Sequence, residues 1–360
     1  MMSSNNSESR VLDLENKRIS DNTIKNYFNM INDDLIGINF SFNQLTKLSN
    51  DVLLELSKLK NLKALNLNSN TLMCSSKKEW KQFPRSLTFL SLSNNRDLTY
   101  MPQIIEQLSD LQFLDISNIN FSRLNDSEKS IINFKFPKLI EHIDLENTRI
   151  SKIPKYLYSL PKLKYLILNN NFIGKFKISK KSPILTDLPL LESLELKSNQ
   201  LKQVPSQISS LPSLENLNLK LNKLTSRSLS RFSFPKTLKN LNLASNSGIT
   251  SFPKSILKLS DLETLDISGT MITKIPPSIT KLSKLKLLDI SGTSIEKLPP
   301  SFKNLPKNIT INIENTPITS LPKELCKKWY NDGEINISTD VNVGYNELCS
   351  SQSRKSKKLK

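Results

Sequence analysis

The feature that most constrains this chain is a repeat within residues 262–302, where one motif occurs twice with an offset of 23 residues. The first copy places its marker side chains at Leu262, Leu265, Ile267 and Thr270, and the second places them at Leu285, Leu288, Ile290 and Thr293. A fixed period of this length is the sequence signature of a solenoid, in which each repeat packs only against its neighbours. A chain of 360 residues can therefore bury a continuous core without forming one large globule.

The motif L-x-x-L-x-L-x-x-(N/T)-x-L can be followed through 13 units by its ninth position. Eleven units carry Asn or Thr there: Asn43, Asn70, Asn95, Thr148, Asn171, Asn199, Asn222, Asn246, Thr270, Thr293 and Thr316. Asn has both a donor and an acceptor, so it can satisfy backbone groups where the chain leaves a strand, and Thr can do part of this. Lys17 and Ile119 stand at this position in the other two units. Ile119 cannot form such bonds, so we expect a weaker turn there unless Asn118 or Asn120 replaces it.

The spacing of apolar residues predicts the local structure of each unit. Leucines at the fourth and sixth positions predict a short strand with one buried face. Proline after the twelfth position suits an extended corner, and apolar residues at threefold spacing then predict a short 3-10 or α turn. The predicted fold class is an α/β solenoid, with a parallel β-sheet on its concave face and short helical or 3-10 turns on its convex face.

This motif resembles that of the leucine-rich-repeat family over about residues 9–340. The attached L-P-x-x-I-x-x-L-x-x-L segment is most similar to the Ras-group, or typical, intracellular subclass. Two units, around Pro84 and Pro235, instead follow P-x-x-L-x-x-L-x-L-x-x-N and resemble the repeats of bacterial effector proteins. The resemblance implies a horseshoe-shaped scaffold without catalytic activity that binds another protein on its concave face, with a small GTPase or its regulator as the partner in signal transduction.

The domain organisation follows from where the motif begins and ends. Residues 1–8 are predicted to be disordered, and residues 9–340 to form a solenoid of about 13 repeats. Within it, residues 9–34 form an N-terminal capping repeat and residues 323–340 a C-terminal cap. Residues 341–360 form a basic tail. Three long intervals between units indicate insertions at residues 73–83, 127–136 and 175–187, which are expected to lie in loops.

Cysteine usage and hydropathy favour an intracellular protein. The polar N-terminus lacks the apolar run of a signal peptide, and no stretch approaches about 18 consecutive apolar residues. We therefore predict a cytoplasmic location, with the basic tail as a candidate nuclear signal; secretion by a bacterial machine without a cleaved signal would leave the same pattern. Cys326 and Cys349 flank the end of the array and could meet there, but free thiols are favoured in a reducing compartment.

The charge of the chain is predicted to be unevenly distributed. The third, fifth, seventh and eighth positions of each unit face the concave side, and nine acidic residues but only two lysines occupy them. The whole chain carries a net charge of +18. An acidic inner face would attract a basic partner surface and oppose nucleic acid. The alternative is that Asp and Asn at the fifth position are common, soluble strand residues.

A stripe of rings locates the candidate site more narrowly. Phe89, Phe113, His142 and Tyr165 occupy the third position of four consecutive units. The predicted partner-binding residues are Phe89, Phe113, Asp115, His142, Asp144, Glu146, Tyr165, Ile167 and Glu195. Aromatic groups with a polar rim are typical of interface hot spots. Ring packing between strands would also stabilise a sheet without any partner, and this alternative stays open.

The leading hypothesis is thus a monomeric, non-enzymatic adaptor that needs no cofactor or metal. His142 is the chain's only histidine, and the motif places no nucleophile beside it,. A bacterial effector that engages host signalling proteins is the first alternative. A basic protein that associates with an acidic membrane or RNA through its exterior and tail is the second, weakened by the lack of aromatic residues among the exterior lysines.

Overall fold

The computed structural model describes residues 10–74, 79–98, 100–121, 131–174, 188–340 and 345–349. These residues fall into two compact units. The first unit contains the described residues up to Phe172, together with Leu188, Pro189 and Leu190. The second unit contains Ile173 and the described residues from Leu191 onwards.

The first unit contains seven parallel strands that pair in chain order, each with the next. They are β1 (Val11–Asp13), β2 (Gly37–Asn39), β3 (Ala64–Asn66), β4 (Phe89–Ser91), β5 (Phe113–Asp115), β6 (His142–Asp144) and β7 (Tyr165–Ile167). The connections contain helix α1 (Asn50–Lys58) and the 3-10 helices Ile24–Met30, Gln103–Gln107, Ile131–Asn133 and Lys155–Ser159. Ser49 caps α1, because its hydroxyl accepts the N–H of Val52,.

The second unit repeats this plan with seven more parallel strands in chain order. They are β8 (Ser193–Glu195), β9 (Asn216–Asn218), β10 (Asn240–Asn242), β11 (Thr264–Asp266), β12 (Leu287–Asp289), β13 (Ile309–Asn312) and β14 (Ile335–Ser338). The helical turns are α2 (Ser226–Ser230), α3 (Lys323–Cys326), α4 (Tyr345–Cys349), the 3-10 helices Ser206–Ser210, Lys254–Lys258, Pro277–Lys281 and Pro300–Asn304, and the π-helix Lys327–Asn331. The predicted fold class is confirmed in both units.

The core of each unit lies between the strands and the helical turns. The motif leucines at the first, fourth and sixth positions are almost fully buried; Leu262, Leu265 and Ile267, for example, expose 0% of their surface. The neighbouring third and fifth positions are only half-buried in most strands. We call the surface formed by these third- and fifth-position side chains the sheet face. It arises because successive side chains of a strand point to opposite sides.

The ninth-position side chains form buried hydrogen bonds, and Asn95 illustrates them. Its Nδ2 donates to the carbonyls of Leu67 at 3.0 Å and Leu92 at 2.8 Å, and its Oδ1 accepts the N–H of Leu72 at 3.0 Å. Each Asn thus joins its own turn to the preceding repeat. Thr270 only donates its hydroxyl hydrogen to the carbonyl of Ile267. Ile119 occupies the ninth position of its unit with a fully buried apolar side chain, so the ninth-position side chain of this unit forms no hydrogen bond.

The residue before the ninth position adopts a left-handed backbone conformation in all 13 units. Its φ lies between 53° and 61° at Asn16, Phe42, Ser69, Asn94, Asn118, Asn147, Asn170, Ser198, Leu221, Ser245, Gly269, Gly292 and Asn315. Asn and Gly tolerate this region at low cost, whereas Phe42 and Leu221 are bulky residues that seldom adopt it. The eighth position is therefore constrained by backbone geometry.

The C-terminal cap corrects the expectation of free thiols, because Cys326 and Cys349 form a disulfide across a Cα–Cα distance of 6.0 Å. Helix α4 lies beyond the predicted cap boundary at residue 340. It packs back on the array, since Leu348 is buried and its carbonyl accepts the N–H of Leu321 at 2.9 Å. Cys74 is buried and takes no part in this disulfide. The predicted disordered start (1–8), the insertion 175–187 and the basic segment 350–360 lie outside the described residues.

The helices in the described residues are short. None of those in the described part of the chain has the length and apolar character needed to cross a bilayer.

Candidate functional site

Four rings of the first unit stack across the sheet face. Strand pairing places Phe89 beside Phe113, Phe113 beside His142, and His142 beside Tyr165. The centroid distances are 4.6 Å, 4.4 Å and 5.8 Å along this series, and the planes make angles of 12°, 20° and 35°. Paired strands lie about 4.8 Å apart, so rings in register stack face to face at nearly that spacing. We call these four residues the ring stack.

The ring stack remains partly accessible. Phe89, Phe113 and His142 are half-buried, and Tyr165 exposes 40% of its surface. Because the rings face one another, their edges are the parts open to contact. The arrangement offers a rigid apolar strip that loses little conformational entropy when a ligand binds.

Three carboxylates flank the ring stack, and backbone or side-chain donors hold each of them. Asp115 Oδ1 accepts the N–H and the hydroxyl of Ser117, while its Oδ2 accepts the hydroxyl of Ser91 at 3.0 Å. Asp144 Oδ1 accepts the N–H of Glu146 at 2.8 Å. The Nδ2 of Asn170 donates to Glu146 at 2.6 Å. The charges are therefore held in defined positions.

Burial perturbs the two titratable groups at the centre of this site. It raises the pKa of Asp144 to about 6, with further increases from Asp115 and Glu146, although the N–H of Glu146 opposes them. Burial also lowers the pKa of His142, although the negative charge of Asp115 opposes this decrease. A neutral imidazole thus lies beside a carboxylate whose charge is poorly solvated. A nearby cation would stabilise that charge.

The remaining predicted residues occupy two places. Ile167 lies in register with Asp144 on β7 and is half-buried, so it extends the site of the first unit. Glu195 lies on β8 in the second unit, where its carboxylate accepts the Nδ2 of Asn218 at 2.7 Å. It lines a groove of about 390 Å³ together with Asn240, Asp266 and other strand residues. The structure therefore gathers eight of the nine predicted residues in the first unit.

Sequence reasoning missed a structural role of the fifth position. Its side-chain oxygen accepts the backbone N–H two residues later in ten units, at Asp13, Asn39, Asn66, Asp115, Asp144, Asn218, Asn242, Asp266, Asp289 and Asn312. Such bonds are typical of Asp and Asn at turns. The repeated D-x-S sequence, as at Asp266 and Ser268, was the available signal. Acidity of the sheet face thus has a local structural cause as well.

Within the ranges that the structure describes, no group of three or more His, Cys, Asp or Glu residues is arranged to hold a metal ion.

Comparisons with known proteins give the same architecture. Residues 236–295 match the family model described as leucine rich repeat. The structure of a leucine-rich-repeat protein of Leptospira interrogans superimposes with a TM-score of 0.64 and 26% identity, covering 89% of this chain and 88% of that one. An internalin of Listeria monocytogenes, at 18% identity and a TM-score of 0.55, covers 93% of this chain and 87% of the internalin, and shares the fold.

Curated relatives match over shorter segments. The human leucine-rich repeats and immunoglobulin-like domains protein 3 is 30% identical over 158 residues, which are 41% of this chain and 12% of the human protein. Lumican of Gallus gallus is 30% identical over 168 residues, 42% of this chain and 47% of lumican. The matched segments span less than half of either protein. The chain has the fold of the leucine-rich-repeat proteins. Its repeat motif, its two units of parallel strands and these matches all agree with that fold.

Proposed function

We propose that this chain is a binding protein whose sheet face in the first unit captures a partner protein with a basic contact surface. The observation that carries the proposal is the ring stack flanked by Asp115, Asp144 and Glu146. Leucine-rich-repeat domains generally mediate protein–protein interaction, and this arrangement provides both an apolar strip and fixed negative charge.

The electrostatics favour a cationic partner group over a neutral one. Asp144 is partly buried, and burial raises its pKa to about 6. An Arg or Lys of a partner would offset the cost of that buried charge, and the aliphatic part of its side chain could pack on the neighbouring ring edges. Electrostatic attraction of this kind increases the association rate and weakens as salt is added.

The competing explanation is that the rings only stabilise the sheet. Cross-strand aromatic pairs contribute roughly 0.2–1 kcal/mol each without any ligand. The two explanations differ in one respect: a purely structural stack requires no charge beside it. Neutralising the carboxylates therefore separates them.

The test begins with the intact protein as bait in a lysate of its source, followed by purification of the captured partner and measurement of its affinity. Asp144→Asn with Glu146→Gln keeps side-chain size and the turn bonds while removing two charges. We expect affinity to fall about tenfold or more at low salt, since loss of a charged contact corresponds to at least about 1.4 kcal/mol. Asp266→Asn with Asp289→Asn is the matched control, because both residues hold the same turn position in the second unit.

Two results would contradict the proposal. One is unchanged affinity in the Asp144 and Glu146 variant. The other is an equal loss in the control variant, which would mean that net charge rather than this site determines binding. Phe113→Leu should independently weaken binding in a folded protein, since it removes one ring from the middle of the ring stack.

The finer expectations from sequence belong to the same proposal. They are a role without catalysis, a monomeric state, a cytoplasmic location and a signalling partner such as a small GTPase, with effector, membrane or RNA association as the alternatives. The disulfide between Cys326 and Cys349 weighs against the cytoplasm, because disulfides are rare in reducing compartments,. The location is testable by the redox state of these cysteines in cells.

A further inference from the structure

The helical side of the first unit contains a cavity of about 580 Å³ that is separate from the sheet face. Its lining includes Lys60, Lys81 and Arg85, with Leu59, Phe83 and Ile104 as its apolar part. These three apolar residues expose 4%, 2% and 7% of their surface, so they form a floor below exposed cationic side chains. The volume lies within the range of small-molecule sites, although polar and charged residues outnumber the apolar ones in the lining,.

The cavity owes its form to an insertion rather than to the regular repeat. Lys81 and Phe83 lie in the insertion predicted at residues 73–83, whereas Lys60 follows helix α1. Trp80 is 2% exposed and stacks on Phe83 with 5.5 Å between ring centroids. The buried Trp80 fixes this part of the insertion to the core, and with it the backbone that carries Lys81 beside the cavity.

All the charged side chains of the lining are cationic. The lining includes three basic side chains and, within the described residues, no acidic one. Lys60 and Lys81 form no ion pair among those residues, and Arg85 donates one bond, from Nη2 to Gln107 Oε1 at 3.1 Å. A guanidinium has five N–H donors arranged as a fork, which suits phosphate and sulfate oxygens.

The C-terminal end of α1 opposes an anion here, but it is the weaker effect. A helix C-terminus carries about half a negative charge, and its field declines within one turn. Lys58, in the last turn, is paired with Glu55 at 2.7 Å, and the hydroxyl of Ser86 donates to the carbonyl of Leu62 at 2.7 Å just beyond the helix. Three full positive charges around the cavity exceed that half charge.

We propose that this cavity binds a soluble phosphate or sulfate monoester of an apolar or aromatic alcohol, with the anion at Lys60, Lys81 and Arg85 and the apolar group on Leu59, Phe83 and Ile104. The proposal is independent of partner binding on the sheet face. It assigns the insertion a role that regular repeats lack.

Phenyl phosphate is the probe, and broadening of its phosphorus NMR signal in the presence of the full chain measures binding. A ligand of this size is expected to bind with a Kd on the order of 1 mM. The variant Lys60→Gln/Lys81→Gln/Arg85→Gln should bind at least about tenfold more weakly, since a hydrogen bond to a charged group accounts for about that factor. All three side chains are exposed, so the variant should keep its melting temperature. The control Lys254→Gln/Lys258→Gln changes exposed lysines of a regular helical turn and should alter Kd less than about twofold, the effect of a weak surface charge.

Three comparison ligands complete the test. Inorganic phosphate, followed by its phosphorus signal, and phenol, followed by its proton signals, should each bind at least about fivefold more weakly than phenyl phosphate, because each lacks one half of the recognised chemistry. Vesicles of phosphatidylcholine with phosphatidylserine should not retain the protein through these residues. Absence of phenyl phosphate binding, equal binding of inorganic phosphate, an equal loss in the control variant, or vesicle binding that the triple variant abolishes would each overturn the proposal.

Discussion

The imidazole of His142 lies nearly parallel to the ring of Phe113, with 4.4 Å between their centroids and 20° between their planes. This contact places a titratable group inside a stack of apolar rings. Burial lowers the pKa of His142, so the neutral imidazole is the form that the fold prefers. Asp115 opposes the shift without cancelling it. The ring stack is therefore sensitive to acid.

Replacing His142 by Phe should reduce this sensitivity. A histidine whose pKa is lowered in the folded state contributes stability that is lost as pH falls from the unfolded value of 6.5 through the lower folded value,. We expect His142→Phe to gain stability over the wild type as pH is lowered from about 7.5 to 5, values on either side of the ordinary histidine pKa. Urea unfolding at both pH values measures the difference. A constant difference at the two pH values would contradict the prediction, and Tyr165→Phe, which removes no group that titrates in this range, is the control.

Asp144→Asn should have the opposite pH dependence. The folded state raises the pKa of Asp144 from 3.8 to about 6 and so binds its proton more tightly than the unfolded state. Wild-type stability therefore decreases as pH rises between these values, and the deficit remains above them. We expect Asp144→Asn to be more stable than the wild type by roughly 1 kcal/mol at neutral pH, a value reduced for partial solvent exposure, and equal to it well below the lower pKa. A gain that is independent of pH would point to a cause other than ionisation.

Loss of a ninth-position Asn should cost more than loss of a ninth-position Thr. Asn95→Ala leaves the carbonyls of Leu67 and Leu92 and the N–H of Leu72 without this partner inside the core. We expect a loss of about 3 kcal/mol, compared with about 1 kcal/mol for Thr270→Val, which removes one hydroxyl bond,. Chemical denaturation measures the free energy of unfolding of both variants. Equal losses would show that the number of ninth-position hydrogen bonds does not determine the cost of the substitution.

The left-handed backbone at Leu221 predicts a stabilising substitution. Its φ is 55°, and its side chain is 45% exposed, so little packing is lost on replacement. Leu221→Asn should stabilise the protein by roughly 0.5 kcal/mol, because Asn adopts this region at lower cost. Leu221→Ala is the matched control, because Ala has no side-chain amide that could hydrogen-bond locally to the left-handed backbone. If Ala stabilises as much as Asn, removal of exposed apolar surface is the cause instead.

The disulfide predicts how the C-terminal end responds to reduction. It joins residues 23 positions apart, and a link of this length stabilises a fold by about 3 kcal/mol,. Reductant should therefore lower the melting temperature of the wild type but not that of Cys326→Ser/Cys349→Ser, whose value should equal that of the reduced protein. Alkylation of protein taken directly from cells tests the compartment: labelling of Cys326 and Cys349 before reduction would support the cytoplasmic proposal.

The sequence alone determined the repeating architecture and the alignment of side chains across it. The motif fixes which residues point into the core, and a constant motif frame puts third-position residues in register on adjacent strands. The motif therefore predicts that Phe89, Phe113, His142 and Tyr165 lie side by side. This works because strand alternation and repeat period are local properties, determined by sterics and burial within one unit and its neighbour.

Three features depend on distances between segments that lie outside the motif frame, and these features were visible only in the tertiary structure. Helix α4 brings Cys349 to Cys326, the insertion with Trp80 creates a cationic cavity beside α1, and partial burial raises the pKa of Asp144 to about 6. The periodic pattern carries no information on any of these. Insertions and caps are irregular by nature, and desolvation depends on every atom packed around a group rather than on its position in the motif.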